Sequence, residues 1–308
     1  MPASLFRAAA FLAGCVLVAA SARAEEQRVR VAYSEALRPL VEEALAPAFQ
    51  REAGIPVDGR TVLAFEDVAP SSSGAPTADV VLTTDPEALL HQASAERVPR
   101  YLVFASDAMV VAYAEKGKFA KELAQGKPWF ESLHADGVLF ARPDPEESRL
   151  GLRSIIVLQL AGELYGAKHL VSQVLLPQQV MPENVILDRL AAGTLDVSLL
   201  YRSLAVERKI KLAELPIEIN LADPGRAGVY AEGKVEIGGQ LHHGSPILLA
   251  AAPIAGAQNA AAASRFVEFL ETKAAQAAIG ERGFVVPPGI PAWHARGAQE
   301  AGAGAPRS

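Results

Sequence analysis

Hydrophobic and polar positions alternate from Val29 onward. Val29, Val31 and Tyr33 take every second position against Arg30, Ala32 and Ser34, the period of a half-buried strand. Between about Leu37 and Ala53 the spacing lengthens to that of a helix, with Leu40, Leu45 and Phe49 on one side and Glu42, Glu43, Gln50 and Arg51 on the other. Gly54 stands where a glycine ends such a helix. Further strands are predicted at 57–63, 79–82, 104–113, 138–141, 197–201 and 246–252, and helices at about 129–133, 150–165, 186–192 and 261–279. Leu215–Leu221 and Gly228–Ile237 read as extended, and Pro86 opens a short helix. Strands alternating with helices imply a layered α/β fold with parallel pairing. Ligands of such sheets sit at the carboxyl ends of strands, where Tyr33-Ser34 and Thr83-Thr84 fall.

The first residues carry a different pattern. Arg7 precedes an apolar run from Ala8 to Ala20, and Ala22-Arg23-Ala24 is a small-x-small cleavage site, the layout of a secretory signal peptide over 1–24. The run is short for a bilayer span, and no later segment approaches the ~20 apolar residues needed. The expected location is therefore periplasmic. Leu12-Ala13-Gly14-Cys15 also resembles a lipobox, so anchoring through a lipidated Cys15 is the alternative to cleavage after Ala24. Cleavage there leaves no cysteine, which excludes disulfides and thiolate chemistry. Half of the 308 residues are hydrophobic, 21% are charged and the formal net charge is -6, a globular composition whose acidic balance attracts neither nucleic acid nor anionic lipid. Any attraction for an anion must then be local.

Enzyme signatures are sparse: there is no nucleophile elbow, phosphate-binding loop, dinucleotide fingerprint or paired metal-ligand helix. His242-His243 point to opposite faces of an extended segment and read as solvated rather than metal-binding. Glu146-Glu147 lie in a proline-rich turn, where carboxylates are ordinarily solvated. Anion capture has better support. Ser148 precedes a helix with Gly151 and Arg153 in its first turn, which is equally an oxyanion cradle of free backbone N–H groups or an ordinary serine cap beside an exposed arginine. Tyr201-Arg202-Ser203 at a strand end either presents a phenol to ligand or packs a tyrosine between lobes.

Several segments in order resemble the periplasmic molybdate/tungstate-binding family, type 2 solute-binding proteins of ABC transporters. Ala78-Asp79-Val80-Val81-Leu82-Thr83-Thr84-Asp85 is similar to its "ADV-x-x-S-A-D" strand, and Phe104-Ala105-Ser106-Asp107 to its "FA-x-N" strand. Leu215-Pro216-Ile217-Glu218-Ile219-Asn220-Leu221, Gly193-Thr194-Leu195-Asp196 through Tyr201-Arg202-Ser203-Leu204-Ala205, and Phe266-Val267-Glu268-Phe269-Leu270 to Gly283-Phe284 resemble further family segments. The resemblance implies two discontinuous α/β lobes joined by crossing strands: lobe I at 25–104 plus 245–292, lobe II at 105–244, with a disordered tail at 293–308.

It also implies a monomeric receptor without cofactor, not an enzyme, that binds a tetrahedral oxyanion such as molybdate or tungstate in the inter-lobe cleft and hands it to an inner-membrane permease. The matching site positions are Ser34 or its neighbour Glu35, Thr83, Thr84, Ser148, Tyr201 and Glu218; Arg149, Arg153 and Ser203 join the candidate site from the residues themselves, with no resident metal. Two departures stand out. Ser148-Arg149-Leu150-Gly151-Leu152-Arg153 replaces the "D-P-x-G-Y-R" turn, so a carboxylate is lost and Arg149 gained, and Glu35 and Glu66 would repel a dianion they faced. Another solute on the same fold (a sulfate-like anion, an organic acid or a cation) is the alternative; an enzyme on this scaffold is the more remote one.

Overall fold

The computed structural model describes residues 28–63, 65, 68, 76–133, 137–167 and 170–295. The expected signal peptide, Cys15 and Glu66 lie outside the described residues. Among the described residues twelve strands are present: β1 (Val29–Tyr33), β2 (Val57–Thr61), β3 (Val80–Thr83), β4 (Arg100–Asp107), β5 (Met109–Tyr113), β6 (Phe140–Ala141), β7 (Val197–Tyr201), β8 (Lys211–Glu214), β9 (Lys234–Ile237), β10 (Gln240–His243), β11 (Ile247–Pro253) and β12 (Ala292–Ala295). The chain divides into two compact units. One contains the segment up to Val103, Ala250–Ala278 and the segment from Ala292; the other contains Phe104–Leu249 and Ile279–Pro291.

The first unit is built on a sheet ordered β12-β4-β11-β3-β1-β2. β1 is parallel to both β2 and β3, with Tyr33 opposite Leu82, so Ser34 and Thr83 leave neighbouring strands at the same end. The helical stretch after β1 finishes as α1 (Ala46–Ala53), and Gly54 stops it at φ 70, a left-handed conformation that costs a glycine nothing. Phe49 of α1 meets Phe266 edge-on at 5.1 Å and tilts against Phe269 at 5.4 Å, joining α1 to α5 (Ala260–Phe269) through buried aromatic contact. The predicted 261–279 helix is two helices, broken after Phe269 and resumed at Lys273.

The second unit carries the sheet β6-β7-β5-β8. Against it lies α2 (Arg149–Leu164), whose Ile156, Val157, Leu158, Leu160 and Ala161 enter a continuous apolar core with Met109, Val111, Leu199 and Leu200. Two shorter helices matter for the site, α3 (Glu183–Ala192) and α4 (Arg202–Glu207).

Four expectations are corrected. Leu215–Leu221 is not extended: the Pro216 carbonyl accepts from Ile219 and Asn220 N–H, and Leu221 sits at φ 60. Gly228–Ile237 begins as a helix, Ala227–Tyr230, which buries Tyr230 and lets its hydroxyl donate to the Ile217 carbonyl at 2.7 Å; only Lys234–Ile237 is strand. The assigned tail does not begin at 293, because Ala292–Ala295 pairs antiparallel with β4, His294 stacks on Tyr101 and Arg100 covers Trp293. Ile279–Pro291 groups with the second unit rather than the first, held by the Ser106–Val285 bridge and by Arg202 donating to the Gly283 carbonyl. His242 and His243 lie on the extended β9–β10 hairpin, and a His243 ring nitrogen is 3.0 Å from the Ala231 carbonyl.

Candidate functional site

In the second unit, antiparallel pairing of β5 with β7 sets Met109 opposite Tyr201. The residues just before Met109 and just after Tyr201 therefore meet. Arg202 N–H donates to the Ala108 carbonyl, and Ser203 donates to Asp107 through both its hydroxyl and its backbone N–H, the latter at 3.2 Å. Asp107 thus caps α4 from a distance, in place of Tyr201, whose side chain makes no cap.

The start of α2 supplies the third wall. Ser148 Oγ accepts from Leu150 N–H at 3.2 Å and Gly151 N–H at 3.4 Å, so this side chain does cap the helix. Neither bond uses the hydroxyl proton. Gly151 is required by packing: a Cβ there would lie 2.5 Å from the Pro143 carbonyl oxygen and 2.7 Å from that of Asp144. Arg153, half a turn further on, donates to the Tyr201 hydroxyl at 2.8 Å, with its guanidinium 5.5 Å from the ring centre.

The electrostatics follow from burial. Burial raises the Tyr201 phenol, against the pull of Arg153, so it stays protonated; its oxygen accepts from Arg153 and its own proton is available to an acceptor. Burial also pushes Asp107 up to about 6, despite hydrogen bonds from Ser203 and Ala108 and the charge of Arg153. Glu183, at the start of α3, is raised by burial and drawn back by Arg208. A hollow of about 400 Å³ beside Ser148 is walled by Pro143, Met181 and the carboxylates Asp144, Glu147 and Glu183. Arg142 is buried next to it in sequence, donating to the Pro143 carbonyl at 3.1 Å, while its Nε has no partner among the described residues.

In the first unit, Ser34 begins the turn after β1, and its Oγ is sealed from solvent without a partner among the described residues. Glu35 is exposed and paired with Arg38 at 2.5 Å. Thr83 Oγ1 accepts from Asp85 N–H at 2.9 Å, Asp85 caps the next helix, and Thr84 lies half-buried between them.

The structure therefore brings together Ser148, Arg153, Tyr201 and Ser203, and places Ser34, Thr83 and Thr84 at one end of the other sheet. Arg149 is exposed at the first helical position of α2. Glu218 is not part of the cluster: it sits in the Pro216 turn, 41% exposed, and pairs with Arg226 at 3.5 Å. Asp107 and Arg142 were missed. The signal for Asp107 was an acid ending an otherwise apolar strand where the resembled motif has asparagine; Arg142 offered only an arginine directly after Phe140-Ala141.

Comparison with known proteins agrees with this architecture. Residues 29–285 match the family model described as bacterial extracellular solute-binding protein. A Haloferax volcanii protein provisionally named an ABC-transporter molybdenum-binding protein is 37% identical over 153 residues, 50% of this chain and 49% of that one. The molybdate/tungstate-binding protein WtpA of Thermococcus kodakarensis is 28% identical over 219 residues, 63% of this chain and 62% of its own. The chain thus spans between about half and just under two thirds of these relatives' lengths. Among solved structures, a substrate-binding domain from Clostridium difficile, provisionally assigned to a molybdenum ABC transporter, superposes with a TM-score of 0.61 at 16% identity, covering 84% of this chain and 98% of that one. That likeness establishes the type 2 periplasmic binding protein fold.

Proposed function

We propose, for a chain that belongs to the bacterial extracellular solute-binding protein family, that it is the extracytoplasmic receptor of an ABC importer for a tetrahedral oxyanion of the molybdate and tungstate kind. The observation that carries this reading is the Arg153–Tyr201 pair. A guanidinium held by a phenol at a strand's carboxyl end, beside the capped start of α2, presents a fixed positive charge and a spare hydroxyl proton. Those are donors for the oxygens of an anion. They carry no nucleophile and no general base aimed at a bond, so the ligand is held and released unchanged. The names of the relatives favour molybdate or tungstate. Loss of the turn carboxylate at Ser148 favours recognition by hydrogen bonds over direct coordination of the metal centre.

Among the described residues no helix is long and apolar enough to cross a membrane. Delivery then depends on docking to a separate permease, with the receptor acting as a monomer. Calorimetric titration with molybdate, tungstate and sulfate tests the reading. Binding of at least one is expected, and Arg153→Met should weaken it ten- to a hundred-fold, the worth of a hydrogen bond to a charged group, about 1.5–3 kcal/mol. Tyr201→Phe should cost less, since it removes one neutral donor. Silence with all three anions, together with clear heat from another solute, would replace the ligand assignment.

A further inference from the structure

Asp107 puts a negative charge into the anion-recognising cluster. It closes β4, is 5% exposed, and stands where the resembled motif has a neutral asparagine. Its carboxylate accepts from Ala108 N–H at 2.8 Å, Ser203 N–H at 3.2 Å and the Ser203 hydroxyl, all neutral donors. Among the described residues no salt bridge holds it.

The charged and titratable groups around it are few. Arg153 faces it from α2 and is engaged with Tyr201 at the end of β7. Glu183 of α3 acts on Tyr201 and is itself opposed by Arg208. Arg202 of α4, adjacent to Ser203 in sequence, is committed to Glu214 at 2.8 Å and to the Gly283 carbonyl. With Asp107 ionised, its charge cancels that of Arg153, and the cluster offers an incoming dianion no net attraction. With Asp107 protonated, Arg153 acts unopposed and the carboxyl keeps its place against Ser203. Like charges held near one another out of bulk water repel strongly enough to decide the protonation state of the complex.

We propose that Asp107 is a charge-setting and positioning residue for the ligand: capture of an oxyanion dianion is coupled to uptake of one proton on its carboxyl. This rests on the oxyanion reading above. Burial already lifts the free carboxyl to about 6, so the coupling falls in an accessible range. A bound dianion raises that carboxyl further. Between its free and bound values affinity falls as pH rises, by up to about tenfold per pH unit, and above the bound value the slope vanishes.

The test is calorimetric titration of the full protein with molybdate between about pH 6 and 8, in paired buffers of different ionisation heat. The expected result is uptake of a substantial fraction of one proton near pH 7 and weaker binding at pH 8 than at pH 6. Asp107→Asn should abolish the proton uptake, flatten the affinity and bind more tightly than wild type at pH 8. Ser203→Ala, which withdraws a donor from the carboxylate, should move the sloping region to higher pH. Proton-neutral, pH-flat binding by the wild type overturns the inference while leaving the receptor reading intact, as does proton uptake that persists in Asp107→Asn. If that variant does not fold, the wild-type proton count decides. Absence of binding by any oxyanion at any pH removes both readings.

Discussion

Asp79 and Asp107 are both buried carboxyls, and their surroundings drive them in opposite directions. Burial alone would raise Asp79. Arg30 meets it through backbone N–H, Nε and Nη2 at 2.9, 3.1 and 2.7 Å, and Asn259 adds two bonds at 3.2 Å; together these outweigh burial and hold it below the usual carboxylate range. Its stabilisation is therefore present above the unfolded value near 3.8 and lost as pH falls through the lower folded value. Removing it strands Arg30, so Asp79→Ala should cost roughly 3 kcal/mol in urea unfolding at neutral pH. Asp107 has the reverse sign. Its folded value near 6 lies above the unfolded 3.8, so its contribution is favourable below the latter and lost as pH rises through the former. Asp107→Asn should gain stability on wild type at pH 7, by up to about 3 kcal/mol, and the gain should all but vanish by about pH 4. Urea unfolding at both pH values checks it. In the sequence the two acids stand at the borders of apolar strands, Asp79 just before β3 and Asp107 at the end of β4. The sequence did not announce their partners, since Asn259 is 180 positions from Asp79 and Ser203 is 96 from Asp107.

At the scale of elements, periodicity succeeded where a segment's own residues settle its conformation. β1, β5 and β7 alternate or run apolar, and α1 and α2 show an apolar side with a capping signal at Gly54 and Ser148. It failed where a distant partner decides. Tyr230 draws Ala227–Tyr230 into a helix through the Ile217 carbonyl, and β12 exists because β4 offers it an edge. The start of α2 shows why the candidate site was only half legible: Ser148 and Gly151 mark a helix N-terminus plainly, but Gly151 answers to the carbonyls of Pro143 and Asp144. Gly151→Ala should therefore destabilise the protein by roughly 1–3 kcal/mol through overpacking, and should weaken oxyanion binding because Arg153 rides on the displaced turn. Ser148→Ala removes the cap and should cost about 1 kcal/mol in the same assay. A loss of affinity beyond that of other equally destabilising changes would mark Ser148 as a ligand contact as well as a cap.

For the whole molecule, the net charge of -6 opposes the proposed ligand before any local contact is made. Arg153 acts at short range, inside a cluster where Asp107 and Glu183 stand close by, so little of its field reaches solvent. A receptor steered by complementary charge loses association rate as salt is added. Here the long-range term has the opposite sign. The screening length shrinks from about 30 Å at 0.01 M salt to about 8 Å at 0.15 M, which removes most of the repulsion between a dianion and the distributed negative surface while leaving the buried contacts nearly untouched. The association rate for molybdate should therefore rise with ionic strength across that range, by roughly threefold. The dissociation rate, set by the hydrogen bonds of Arg153 and Tyr201, should stay nearly constant. Stopped-flow measurement of both rates at fixed pH checks this. An association rate that falls with salt would mean that an exposed cationic surface guides the ligand, and that the attraction is not confined to the buried pair.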